Sequence, residues 1–110
     1  MGAREERIGL NEGVFREVNE RIEEVAETLE IQSQALGFIC ECGDANCQRT
    51  ISMTRPEYEH VRSDARQFAV YPGHERADLE EVVERRKGYN VVRKSEGVPE
   101  QVAEQTDPRS

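Results

Sequence analysis

Cys40, Cys42 and Cys47 fall within one eight-residue stretch of a 110-residue chain, Cys40-Glu41-Cys42-Gly43-Asp44-Ala45-Asn46-Cys47. On an extended strand, residues two apart point to the same face, so Cys40 and Cys42 can turn both sulfurs towards one point. Gly43 to Asn46 is rich in turn formers, and Gly43 and Asn46 tolerate the positive φ that a tight reversal uses. Such a turn folds Cys47 back towards the first two thiols. Three thiolates supply most of a tetrahedral site, and zinc in structural sites takes four nitrogen or sulfur ligands, three cysteines with one histidine being a common set.

The chain has two histidines to complete the set. His60 follows a helix start at Thr54 and, with Tyr58 and Val61 turned inward, points to solvent. His74 follows Pro72-Gly73 at a strand end, where sites are commonly assembled from loops. The expected ligands of a Zn2+ ion are therefore Cys40, Cys42, Cys47 and His74. His60, Glu41 or a water are the alternatives in fourth place, and water would leave an open, catalytic position. Glu75 can orient the His74 imidazole through its second nitrogen or serve as an exposed loop charge. Tyr71 can shield the site.

Other chemistries suit the thiols less well. Buried cysteines can pack as small hydrophobes, but not readily around a turn of Gly, Asp and Asn. Cys-x-Cys lacks the two-residue spacer of the common redox motif, and an iron–sulfur cluster is one cysteine short. Elsewhere the chain shows no Gly-rich phosphate loop, no His-Glu-x-x-His and no nucleophile elbow, so no catalytic residues are expected.

The composition agrees with a small domain that needs help to fold. Apolar residues and charged residues each make up 35%, there is no Trp, and the net charge is −8. A core this thin gains from a metal or a partner chain. Nucleic acid is an unfavoured partner, because affinity for phosphates comes mainly from Lys and Arg. No signal peptide and no apolar run of membrane-spanning length is visible, and odd, clustered cysteines suit a reducing compartment, so the expected location is the cytoplasm with no membrane contact.

The elements that must position these residues follow from periodicity. Residues 1–10 read as a flexible leader. Phe15, Val18, Ile22, Val25 and Leu29 step by 3, 4, 3 and 4, which predicts a helix from about Asn11, its N-cap, to Glu30. Its apolar stripe can cover the domain's own sheet or form the seam of a homodimer. Phe38 to Cys42 reads as a strand, with Gln48 to Met53 returning as its hairpin partner. Thr54, Pro56 and Glu57 form a capping box and helix start. Gln67 to Tyr71 is a third strand. Asp78 and Glu81 suggest a second capping box, opening a helix with Leu79, Val82 and Val83 inward that ends at Gly88. Tyr89 to Lys94 is the fourth strand, and residues 95–110 read as a disordered tail. The expected fold is a single α+β domain over 11–94: a mostly antiparallel sheet of about four strands, a long N-terminal helix and two short ones, stapled by zinc.

Several stretches together carry a resemblance: Phe38-Ile39-Cys40-Glu41-Cys42 with Cys47, Glu57-Tyr58 with Val61-Arg62 and Asp64, and Phe68-Ala69-Val70 with Pro72-Gly73-His74-Glu75. Val82-Val83-Glu84-Arg85, Gly88-Tyr89 with Val91-Val92, and Thr106-Asp107-Pro108-Arg109 extend it. The chain resembles a family of small uncharacterised actinobacterial proteins with a Cys-Glu-Cys-x4-Cys and Pro-Gly-His-Glu signature. The resemblance implies that His74 belongs with the cysteines and implies no substrate. The expected role leans away from an enzyme, towards a small bacterial zinc protein acting on an unidentified protein partner as an interaction or regulatory module. A redox or metal sensor, or a nucleic-acid-binding regulator, is the alternative.

Overall fold

The computed structural model describes residues 3–109. Helix α1 spans Ala3–Thr28. Strands β1 (Leu36–Ile39) and β2 (Thr50–Met53) form an antiparallel hairpin. Helix α2 covers Arg55–Val61. Strand β3 (Gln67–Val70) then enters a second antiparallel sheet with β4 (Glu80–Arg86) and β5 (Tyr89–Lys94), in the order β3-β5-β4. Helix α3 spans Val98–Gln105. The expected architecture is present: small antiparallel sheets, a long first helix and two short helices.

The start of α2 forms as its residues dictate. Thr54 Oγ1 accepts from the Glu57 amide, Glu57 returns the bond to the Thr54 amide, and Pro56 occupies the first turn. Tyr58 and Val61 are fully buried. The Tyr58 ring stacks on Phe38 of β1 at 4.6 Å, and Ile51, Met53, Ala69, Tyr89 and Val91 complete that core. Alternation along β3 and β5 turns Phe68, Val70 and Val92 to the opposite face, where they pack with Cys40, Cys42 and Ala103. Strands β3 and β5 are thus buried on both sides, while β4 forms the more open edge of the sheet.

Three expectations are corrected. First, 80–86 is a strand and not a helix. Glu and Arg favour helix only weakly, and pairing overrides them: Arg86 registers with Tyr89 across Lys87-Gly88, with Gly88 at φ 90°. The Gly read as a helix stop is a hairpin turn. The second short helix is α3 instead.

Second, Val98–Gln105 is a helix where a disordered tail was expected, and residues 3–10 belong to α1 and not to a flexible leader. The chain is helical from Ala3, because Ala3 to Arg7 are good helix formers with Glu5 and Glu6 in the favourable first turn. Helix α3 packs on α1 at Gly9 and Gly13, where an added Cβ would lie 2.5 Å from Val102 Cγ1 and 2.8 Å from Thr106 Cβ. Arg109 then binds Glu20, Glu23 and Glu59. Met1 and Gly2 of the expected leader and Ser110 of the expected tail lie outside the described residues.

Third, α1 turns its polar face inward. Glu12, Arg16, Asn19, Glu20 and Glu23 are buried, while Val18, Val25 and Leu29 of the apolar stripe are exposed. Each inward side chain has at least one partner, while Glu12 Oε1, Arg16 Nε and Glu23 Oε2 are buried with no hydrogen bond. Arg16 lies over the Phe68 ring and donates to the carbonyls of Ala65 and Ala103. Lys94 Nζ sits between Glu12 at 2.9 Å and Glu80 at 2.7 Å. Arg62 binds Glu20 and Asp107. An apolar face could satisfy none of these groups.

Candidate metal centre

The hairpin, the second sheet and α1 together shape the cysteine loop. The Cys40 amide donates to the Arg49 carbonyl, extending the β1–β2 pairing by one step, and the Glu41 amide then donates to Ala69 on β3. At Gly43 the chain turns with φ 81°, and a Cβ there would sit 2.8 Å from Ile8 and 2.9 Å from Glu12. Both conformation and space therefore require glycine. Asn11, expected as an N-cap, lies inside α1 and donates to the Gly43 carbonyl. Asn46 is not at positive φ; its amide donates to Asp44 Oδ1, closing the turn through the side chain. The turn delivers Cys47 back to the other two thiols.

Tyr71 ends the β3 side, and Pro72-Gly73 reverses the chain with Gly73 at φ 96°. The His74 amide donates back to the Tyr71 carbonyl. This turn presents the imidazole to the cysteines. Nδ1 of His74 lies 3.5 Å from Cys47 Sγ and 3.7 Å from Cys40 Sγ. One ligand atom from each of Cys40, Cys42, Cys47 and His74 falls within 4.8 Å of all the others, so the four can hold a metal ion. Cys40 and Cys42 are buried, and Cys47 and His74 are half-buried at the rim.

Each sulfur also receives a backbone N–H: Tyr71 to Cys40 at 3.1 Å, Asp44 to Cys42 and Arg49 to Cys47. Amides aimed at sulfur favour the thiolate, the form that binds metal. Of the three thiols, Cys42 is the one drawn towards the thiolate. Its pKa is pushed down to about 4, chiefly by a hydrogen bond from the Cys40 thiol, with burial opposing. The same bond, from the other side, pushes Cys40 up.

The neighbouring candidates are placed elsewhere. Glu41 is fully buried and points away from its flanking cysteines, accepting from Asn19, Tyr58 and the Ala69 amide. It is not a fourth ligand. His60 lies on the surface, 2.6 Å from Glu84. Glu75 is also not aimed at the imidazole: its Oε2 accepts from the Gly73 amide and from Asn90, which fixes the Pro72-Gly73 turn. The Tyr71 ring does lie beside His74, at 5.3 Å, with the Arg49 guanidinium over its other side at 4.8 Å.

Several supports were not singled out by the cysteine motif. Asn19 clamps Ile39 through both its amide and its carbonyl, and Arg76 donates to the Cys42 carbonyl. The signal for the first was present. Glu12, Arg16, Asn19 and Glu23 step by 4, 3 and 4, a second stripe with the helical period.

Compared with protein-family models, with curated proteins and with solved structures, the chain matches none.

Proposed function

We propose that this is a small zinc protein whose ion is structural and whose working surface binds protein. The observation that carries the reading is the spacing of the four ligand atoms. Zn–S bonds of about 2.3 Å and Zn–N bonds of about 2.05 Å, at the tetrahedral angle, put sulfur and nitrogen about 3.6 Å apart. The two sulfur–nitrogen distances to His74 are 3.5 and 3.7 Å. Three thiolates and one imidazole fill four positions, leaving none for a substrate or an activated water. Such a site contributes folding free energy and supplies no reactive centre.

The position of the ligands supports a structural role. Cys40, Cys42 and Cys47 belong to the loop that joins β1 to β2, and His74 to the loop after β3. An ion there ties the two sheets together. Thiolate ligation suits a reducing compartment, and we assign the protein to the cytoplasm on that ground. No helix among the described residues is long and apolar enough to cross a membrane. A net charge of −8 works against nucleic acid as the partner. The outer face of α1, with Leu10, Val14, Val18, Val25 and Leu29 exposed, favours protein.

Elemental analysis of the purified protein tests the reading. About one zinc per chain is expected, with loss of helical and sheet circular dichroism on chelation. Protein that is fully folded and free of metal would overturn it. A redox-responsive version of the same site has one observation in its favour, the half-buried position of Cys47 at the rim. Peroxide would oxidise that thiolate to a sulfenate, and a second cysteine would condense with it to a disulfide, losing hydroxide and freeing the ion. Zinc release by peroxide, reversed by a thiol reductant, distinguishes that version from a purely structural one.

A further inference from the structure

Helix α1 reverses the usual arrangement, with polar groups inward and an apolar stripe outward. The inner face is fixed by its ion pairs and carbonyl contacts, so the helix cannot roll to bury the stripe. We propose that a second copy of this chain covers it, the two α1 helices packing antiparallel about a two-fold axis. The inference deepens the reading of this face as a protein-binding surface and does not depend on the metal.

The stripe is self-complementary. Its residues are Leu10, Val14, Val18, Val25 and Leu29, all exposed, and Ile22, which is half-buried with part of its side chain against the core around Phe38 and Tyr58. Read backwards, the types are Leu, Val, Ile, Val, Val, Leu. Antiparallel pairing sets Leu10 against Leu29, Val14 against Val25 and Val18 against Ile22 of the other copy. Each layer then joins side chains of similar size. A two-fold interface needs this, because both copies present the same patch.

Charge selects the orientation. Glu17 and Arg21 flank the middle of the stripe, 3.6 Å apart and both well exposed. In the antiparallel pair each Arg21 comes beside Glu17 of the other copy. A parallel pair would align Arg21 with Arg21 and bring the acidic ends, Glu24, Glu27 and Glu30, side by side. Opposed helix dipoles also favour the antiparallel form. An apolar groove of about 390 Å³ runs between α1 and Ile31 and Leu36, beside Val25 and Leu29. Leu10 of the other copy reaches it.

The size of the contact sets its strength. In this register the helices overlap from Leu10 to Leu29, about 28 Å at about 1.5 Å per residue, and pairing along that length buries on the order of 1,000 Å² in total, near the lower bound for a specific interface. A micromolar dimer is expected.

The test is sedimentation of the full zinc-loaded chain from about 1 µM to about 200 µM, a range that brackets the affinity expected for this area. The mass should rise from one chain to two. Val18→Glu, at an exposed position, should remain a monomer with unchanged metal content and circular dichroism. Arg21→Glu should weaken the dimer, and adding Glu17→Arg should restore it. For orientation, a mixture of Leu10→Cys and Leu29→Cys variants should cross-link while neither does alone. A chain that stays monomeric throughout, or that pairs only with another protein, overturns the proposal. So does a dimer indifferent to Val18→Glu, or one that cross-links Leu10→Cys to itself. Metal measured on the same samples separates the two readings: one zinc per persistent monomer rejects the dimer alone, and a metal-free dimer rejects the zinc alone.

Discussion

Along Cys40-Glu41-Cys42, alternation serves two ends at once. The cysteines face the site, and the carboxylate between them is driven into the core, bridging Asn19, Tyr58 and Ala69. That is why Glu41, adjacent in sequence, is no rival to His74. Replacing His74 by Ala should weaken zinc binding by about 3 kcal/mol, or about two orders of magnitude, if roughly 10–16 kcal/mol is shared among four ligands. Competition against a chromophoric chelator measures it, and His60→Ala should change nothing. A second residue-scale prediction concerns Glu12. Burial pushes its pKa up to about 7 from 4.5, with Lys94 opposing. Its Oε1 is buried without a hydrogen-bond partner, which suits a protonated carboxyl. Folded Glu12 therefore holds a proton that the unfolded chain has released. Its contribution is complete below about pH 4.5 and is lost as pH rises through about 7, a loss of about 3 kcal/mol. Glu23, raised to about 8 by burial and by Glu59, acts in the same direction. Denaturant titrations across this range should show stability falling with pH, and Glu12→Gln should flatten the slope to the part due to Glu23.

At the scale of elements, Gly9 and Gly13 make the clearest case against reading α1 alone. Gly in a helix costs about 1 kcal/mol relative to Ala, so propensity alone would make Gly9→Ala stabilising. With Val102 Cγ1 only 2.5 Å from the added methyl, the expected outcome is a net loss of about 1–2 kcal/mol, read from the denaturant midpoint. A stabilised variant would mean that α3 does not dock there. The same contacts explain which elements were legible. The α2 capping box and the cysteine hairpin rest on bonds between residues close in sequence; the box appears as spelled, and the hairpin forms with shorter strands, Leu36–Ile39 and Thr50–Met53, so that the cysteines lie in its loop and not on its first strand. Strand β4 was hidden because Asp78 to Lys87 has helical composition and its strand state comes only from β5. Helix α3 was hidden because its apolar residues are few and their partners lie far away in the chain, Gly9 against Val102 and the Phe68 and Val92 face against Ala103. The helical period of α1 was plain, but period alone does not say which of two stripes faces inward. That choice was made by Lys94, Arg62 and the free carbonyls of Ala65 and Ala103.

For the whole molecule, the thin apolar core and the proposed ion belong together. Buried polar groups occupy much of the space between α1 and the sheets, and they specify the packing more than they strengthen it. Burial of apolar surface is correspondingly modest, and an ion tying the cysteine loop to the loop after β3 would supply what the core lacks. The outer stripe of α1 leaves further apolar surface for the proposed second chain, so metal and dimer would contribute separately. X-ray absorption at the zinc edge of the native protein is the most direct test of the central claim. Three sulfurs at about 2.3 Å and one nitrogen at about 2.0–2.1 Å are predicted, with the nitrogen lost in His74→Ala. A shell of oxygens, or a nitrogen that persists in that variant, would contradict it.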